Sequence, residues 1–105
     1  MEYKFNGSRY VTRGISLGIP SALVMYLWGI IEERKKNKGV PMDYLQIFKL
    51  KSERKNRKRN LIITLSQEQP PYEEVHIISK FSDITEKIYV IDDIDHVTML
   101  LPEEY

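Results

Sequence analysis

Tyr44-Leu45-Gln46-Ile47-Phe48-Lys49-Leu50-Lys51 and, after a short charged run, Asn60-Leu61-Ile62-Ile63-Thr64-Leu65-Ser66-Gln67 carry the pattern that decides the fold. In an extended chain successive side chains point to opposite faces. The first stretch then sets Phe48 and Leu50 against Lys49 and Lys51, and the second groups Leu61, Ile63 and Leu65 opposite Thr64 and Ser66. Both read as strands, joined as a hairpin through the charged connection Ser52 to Arg59. Gln69-Pro70-Pro71-Tyr72 ends that ladder, because proline has no N–H to donate.

Working outward, Glu74–Ser79 reads as a further strand, with His76 on the face opposite Val75 and Ile77. Lys87–Ile91 and Val97–Leu101 form a second hairpin around Asp92-Asp93-Ile94-Asp95-His96. Upstream, the β-branched and aromatic run Arg9–Ile15 reads as a first strand, and Ser16–Ile19 as a turn. A helix then starts at Pro20, which suits a first turn, and runs to about Lys38 before Gly39 and Pro41. Arg34, Lys35, Lys36 and Lys38 complement the negative end of its dipole, and Glu32 is spaced to pair with Lys36. The expected fold class is α+β: a mostly antiparallel sheet of about five to six strands with one main helix packed on one face.

On the helical wheel Leu23, Tyr26, Leu27 and Ile30 make one apolar stripe, and Val24, Trp28 and Ile31 make the next. A helix lying on a sheet needs a stripe of only about 100°. The surplus flank at Val24 and Trp28 is a candidate protein-binding surface.

The chain has 105 residues, 42% hydrophobic and 30% charged, which suits a single globular domain spanning residues 1–105. A chain of this length buries roughly 65% of its unfolded surface, enough for one core. Without cysteine, disulfides, Cys-ligated zinc and thiol nucleophiles are excluded. The N-terminus lacks a secretory signal, and the apolar run Ala22–Ile31 is too short to span a bilayer. A cytoplasmic protein without membrane contact is expected. The net charge of +1 hides a split: residues 1–59 carry 14 basic against 5 acidic side chains, and residues 60–105 carry 2 against 10. That predicts a dipole and oriented association with a partner.

Several blocks, in order, resemble a known family. They are Arg9-Tyr10-Val11-Thr12-Arg13-Gly14-Ile15 with Ile19-Pro20, Leu27-Trp28 and Ile31-Glu32; Asp43 to Leu50; Gln67 to Tyr72; Lys87 to Asp93; Asp95-His96; and Thr98 to Tyr105. Together they are similar to the domain of unknown function 960 family, small proteins of staphylococci, other Gram-positive bacteria and phages. The resemblance implies an intracellular bacterial or phage protein and brings no assigned activity. The basic run Glu53 to Arg59 lies outside these blocks.

Three constellations are chemically suggestive. Lys49, Lys51, Arg54, Lys55, Arg57, Lys58 and Arg59, against Glu53 alone, are candidates for phosphate contacts in a nucleic-acid complex; the plainer reading is a solvated loop. Asp92, Asp93, Asp95 and His96 are weak metal-ligand candidates without EF-hand spacing, and turn chemistry explains them more simply. Glu103, Glu104 and Tyr105 offer an acidic protein-binding tail. No catalytic residue can be assigned: Gly-rich phosphate loops, serine elbows and paired metal histidines are all missing. The leading expectation is a non-enzymatic protein-interaction or regulatory protein without cofactor, binding an unidentified protein partner or self-associating. A nucleic-acid-binding accessory protein is the alternative, and a metal-dependent hydrolase a distant third.

Overall fold

The computed structural model describes residues 3–79 and 83–105. The elements run β1 (Ser8–Val11), α1 (Arg13–Gly18), α2 (Ser21–Arg34), β2 (Leu45–Lys55), β3 (Lys58–Gln67), β4 (Tyr72–Ser79), β5 (Thr85–Asp92), β6 (His96–Leu100) and a short 3₁₀ turn, Pro102–Glu104. The strands form one mixed sheet in the order β1-β6-β5-β2-β3-β4. This is an α+β arrangement, but the sheet is not purely antiparallel: β1 runs parallel to β6, with Arg9 beside Val97 and Val11 beside Met99.

The alternation in β2 and β3 carries through the sheet. Phe48 lies between Leu65 and Ile88, and Leu50 faces Ile63. These residues, with Leu61, Val90, Val97 and Met99, are buried on one side of the sheet. Leu23, Leu27, Ile30 and Ile31 of α2 and Ile15 of α1 belong to the same buried cluster. Tyr26, expected in the apolar stripe, is instead 43% exposed.

Two boundaries differ from the sequence reading. The first strand ends at Val11, and residues 13–18 are helical rather than strand and turn. Thr12 caps this helix by accepting the Ile15 N–H, and Glu104, far away in sequence, accepts the Gly14 N–H. Gly14 makes that approach possible: a Cβ there would lie 2.7 Å from both Glu104 Oε1 and Leu101 Cδ1. The second helix ends at Arg34, not near Lys38. After Arg34 the backbone bonds tighten to three-residue spacing, Lys36 to Glu33 and Asn37 to Arg34, and the Asn37 side chain takes the Gly39 N–H. The ion pairs follow the same spacing, Lys35 with Glu32 and Lys36 with Glu33, rather than Glu32 with Lys36.

Arg34 is 1% exposed, and no carboxylate pairs with it among the described residues. Its guanidinium instead donates to Val40 O (3.0 Å), Gln67 Oε1 (3.2 Å) and Asn37 O (3.4 Å), and lies 4.3 Å from the Tyr72 ring centroid. Carbonyls of the segment that follows α2, the Gln67 amide oxygen and an aromatic face thus replace a counter-ion. Replacing Arg34 by Ala leaves these acceptors buried without donors, so it should cost about 2–4 kcal/mol in urea unfolding. Arg34→Lys, lacking the planar fork, should recover less than half of that loss.

Candidate functional site

The hairpin β2–β3 does not open into a loop at Ser52. It stays in register through Arg54 opposite Arg59 and Lys55 opposite Lys58. Asn56 and Arg57 close it with φ of 53° and 64°, the positive pair that a two-residue type I′ turn requires. Neighbouring support ends earlier: β5 pairs as far as Lys51, and β4 as far as Asn60. Among the described residues the last two register pairs therefore form a free two-stranded ribbon.

Alternation divides the seven cations proposed for nucleic-acid contact. Lys49, Lys51, Lys55 and Lys58 share the face away from the buried cluster, whereas Arg54 and Arg59 lie on the other side and Arg57 sits in the turn. Arg59 pairs with Asp83 at 3.2 Å. The other six form no ion pair among the described residues. Arg57, Lys58 and Arg59 also line a small cleft of about 280 Å³ with Ser79.

The register adds residues that reading the hairpin alone had missed. Lys87 stands directly opposite Lys49, and one row further on Thr85, Lys51, Ile62 and Ile77 cross the sheet side by side. Like charges directly opposite one another across strands are destabilising. Val75 (54% exposed) and Ile77 (65%) extend the same face to the β4 edge. Next to Lys87, Tyr89 begins a run of rings. Lys87 Nζ lies 5.8 Å from the Tyr89 centroid, Tyr105 meets Tyr89 edge-on at 5.9 Å, and Tyr44 lies 6.0 Å from Tyr3. A hydrogen bond between the Tyr44 and Tyr105 side chains joins the two pairs and pushes the Tyr44 hydroxyl above its ordinary pKa. The signal for Lys87, Tyr89 and Ile91 was present in the alternation with Ile88 and Val90.

The remaining candidates are engaged locally. Val24 and Trp28 are half-buried against the core, and the Arg9 guanidinium lies 5.0 Å from the Trp28 centroid while pairing with Glu32. Asp92 is buried and holds the turn, its Oδ2 accepting the Phe5 N–H and its Oδ1 the Ile94 N–H. Asp93 Oδ2 lies 3.8 Å from His96 Nδ1. Asp92, Asp93, Asp95 and His96 do not gather as a metal site among the described residues. His76 Nε2 meets Glu74 at 2.5 Å, and Glu74 also accepts the Tyr72 hydroxyl. Glu103 and Tyr105 are exposed. No helix among the described residues is long and apolar enough to cross a membrane.

With this geometry the chain can be placed among known proteins. A family model described as Staphylococcal protein of unknown function (DUF960) matches residues 8–104. The chain belongs to that family. The matched span includes the basic run at the hairpin tip. A crystal structure of a protein of unknown function from Enterococcus faecalis is 32% identical, with a TM-score of 0.79, over 100% of this chain and 98% of that one. No curated protein matches the chain. Neither family nor neighbour carries an assigned activity.

Within this family member Glu104 acts as a latch. It accepts the Thr12 hydroxyl, the Leu101 N–H and the Gly14 N–H. The Thr12 hydroxyl first, then the Leu101 and Gly14 N–H groups, hold its carboxyl below the ordinary 4.5, with burial opposing them. Because the folded pKa is depressed, the stabilisation is present above the unfolded value and disappears as pH falls through the folded one. Glu104→Gln should therefore lower the Tm at pH 7, and the gap to the unsubstituted chain should narrow below pH 4.5.

Proposed function

We propose that this protein is a non-enzymatic nucleic-acid-binding accessory protein whose working surface is the sheet face bearing Lys49, Lys51 and Lys87 and the adjoining β2–β3 ribbon. This reading takes α2 to lie across the opposite face, as its four buried apolar residues in the common core imply. The observation that carries it is the direct juxtaposition of Lys49 and Lys87, without an acidic partner among the described residues, on a face that also exposes Val75 and Ile77. Such a pair costs stability unless a polyanion supplies the missing charge. Phosphates would sit on the lysines, while bases would lie against the aliphatic rows and the tyrosines, the usual way an open sheet face takes a single strand.

The same lysines argue against a second copy stacked on this face, because that would bury six ammonium groups in one interface. A protein partner at Val24, Trp28 and Glu104 is supported less well, since all three already have intramolecular partners. Glu103 stays exposed to such a partner, whereas Tyr105 is engaged with Tyr89 and Tyr44.

Fluorescence anisotropy with single-stranded RNA and DNA of about 20 nucleotides tests the reading. Affinity should fall with rising salt, by about 0.7 in log–log slope for each phosphate contacted. The triple variant Lys49→Ala/Lys51→Ala/Lys87→Ala should bind at least about tenfold more weakly and lower that slope by about 2. Salt-indifferent binding, or a variant that binds like the unsubstituted chain, contradicts the proposal.

A further inference from the structure

A second concavity is lined by none of Lys49, Lys51 and Lys87. It encloses about 420 Å³ between the N-terminal arm and the segment that follows α2, and is lined by Tyr3, Lys4, Asn6, Lys35, Asn37, Lys38, Val40, Pro41 and Met42. Three lysines and no acidic residue contribute to that lining. Lys35 already donates to Phe5 O at 3.3 Å and to Glu32 at 3.2 Å. Lys4 and Lys38 form no ion pair among the described residues. Asn37 Oδ1 accepts the Gly39 N–H, which leaves both donors of its NH₂ group for a ligand. Val40, Pro41, Met42 and the Tyr3 ring give the rest of the wall an apolar character.

A second, independent observation concerns what lies behind that wall. The carbonyls of Asn37 and Val40, two of the lining residues, hold the buried Arg34 guanidinium. Arg34 has no carboxylate partner among the described residues, and its Nε finds no acceptor. A buried, incompletely compensated cation extends its field further than a solvated one, because the surrounding medium screens it weakly. The cleft thus has lysines at its rim and a fourth positive charge behind it. Its size falls within the range of small-molecule sites, roughly 300–1,000 Å³.

We infer that this cleft binds a small organic anion, with a phosphate or carboxylate held between Lys4, Lys38 and the Asn37 amide, and an apolar or aromatic body against Tyr3, Val40 and Met42. The inference is independent of the lysine face. Lys35, through its bonds to Phe5 O and Glu32, is the lining lysine already committed to the protein's own groups.

The test is an amide-resolved NMR titration of the full chain with phenyl phosphate, benzoate and neutral benzyl alcohol. At least one of the two anions should shift residues 3–6 and 35–42 saturably below about 10 mM, and which one does identifies the head group. Lys38→Glu should weaken that binding at least about tenfold, whereas Lys58→Glu at the distant hairpin tip should change it less than about twofold. The Lys49/Lys51/Lys87 triple variant should retain it, separating this site from the nucleic-acid surface. The inference is overturned by any of three results: neither anion shifting these residues, benzyl alcohol binding equally well, or Lys38→Glu having no effect.

Discussion

The contact between the buried Arg34 guanidinium and the Gln67 side chain amide fixes how this chain closes. Gln67 Oε1 accepts from Arg34, from Gln46 Nε2 at 2.9 Å and from the Asp43 N–H at 3.2 Å. Its Nε2 donates to Pro41 O and Pro70 O. One amide therefore ties the end of α2 to the connection into β2, to β2 and β3 themselves, and to the turn that leads into β4. Burying a charge this way is tolerable because, among the described residues, the buried side-chain polar atoms other than Arg34 Nε and Gln46 Oε1 find partners. Beyond the end of α2 the chain brings the Asn37 and Val40 carbonyls back to Arg34.

From that anchor the two faces of the sheet acquire different roles. The buried side chains of one face belong to a hydrophobic cluster that also includes residues of α1 and α2. The other carries lysines opposite each other, half-buried Ile47, Ile62 and Tyr89, and exposed Val75 and Ile77. Alternation also sets Glu53 and Glu73 on this face, towards the hairpin tip and the β4 edge, away from the Lys49–Lys87 pair. The C-terminus closes the opposite edge, where Glu104 and Gly14 bring the last turn against α1 beside the parallel pair β1–β6. The charge distribution also takes a more specific shape than two poles. The basic end of α2 lies close enough to the acidic β5–β6 turn for Asp92 to favour the charged form of Lys35. At the hairpin tip Arg59 pairs with Asp83, whereas Lys55, Arg57 and Lys58 form no ion pair among the described residues.

Much of this was legible from residue order. The period of two in β2, β3 and β5 placed Phe48, Leu50, Leu61, Ile63, Leu65 and Lys49 on their correct faces, because that alternation is set by backbone geometry. The core residues of α2 followed from helical spacing in the same way. Three features were not legible, and each depends on contacts between residues far apart in sequence. Thr12-Arg13-Gly14-Ile15 becomes a cap and helix through Glu104. The parallel β1–β6 pairing joins the two ends of the chain. At the early stop of α2, Arg34 reaches Gln67, itself on β3. At the candidate surface, the hairpin lysines could be named from sequence, but Lys87 joined them only once β5 was known to lie beside β2. Ser52–Arg59 read as a loop because charge density resembles loop composition, whereas the cross-strand register continues through it.

The most direct test of the account is to map, residue by residue, where a single-stranded oligonucleotide touches the isotopically labelled protein. The account requires shifts concentrated at Ile47, Lys49, Lys51, Ile62, Val75, Lys87 and Tyr89, with the buried faces of the same strands and the outer turns of α2 unmoved. Shifts centred on α2, or no localised shifts at low salt, would contradict it.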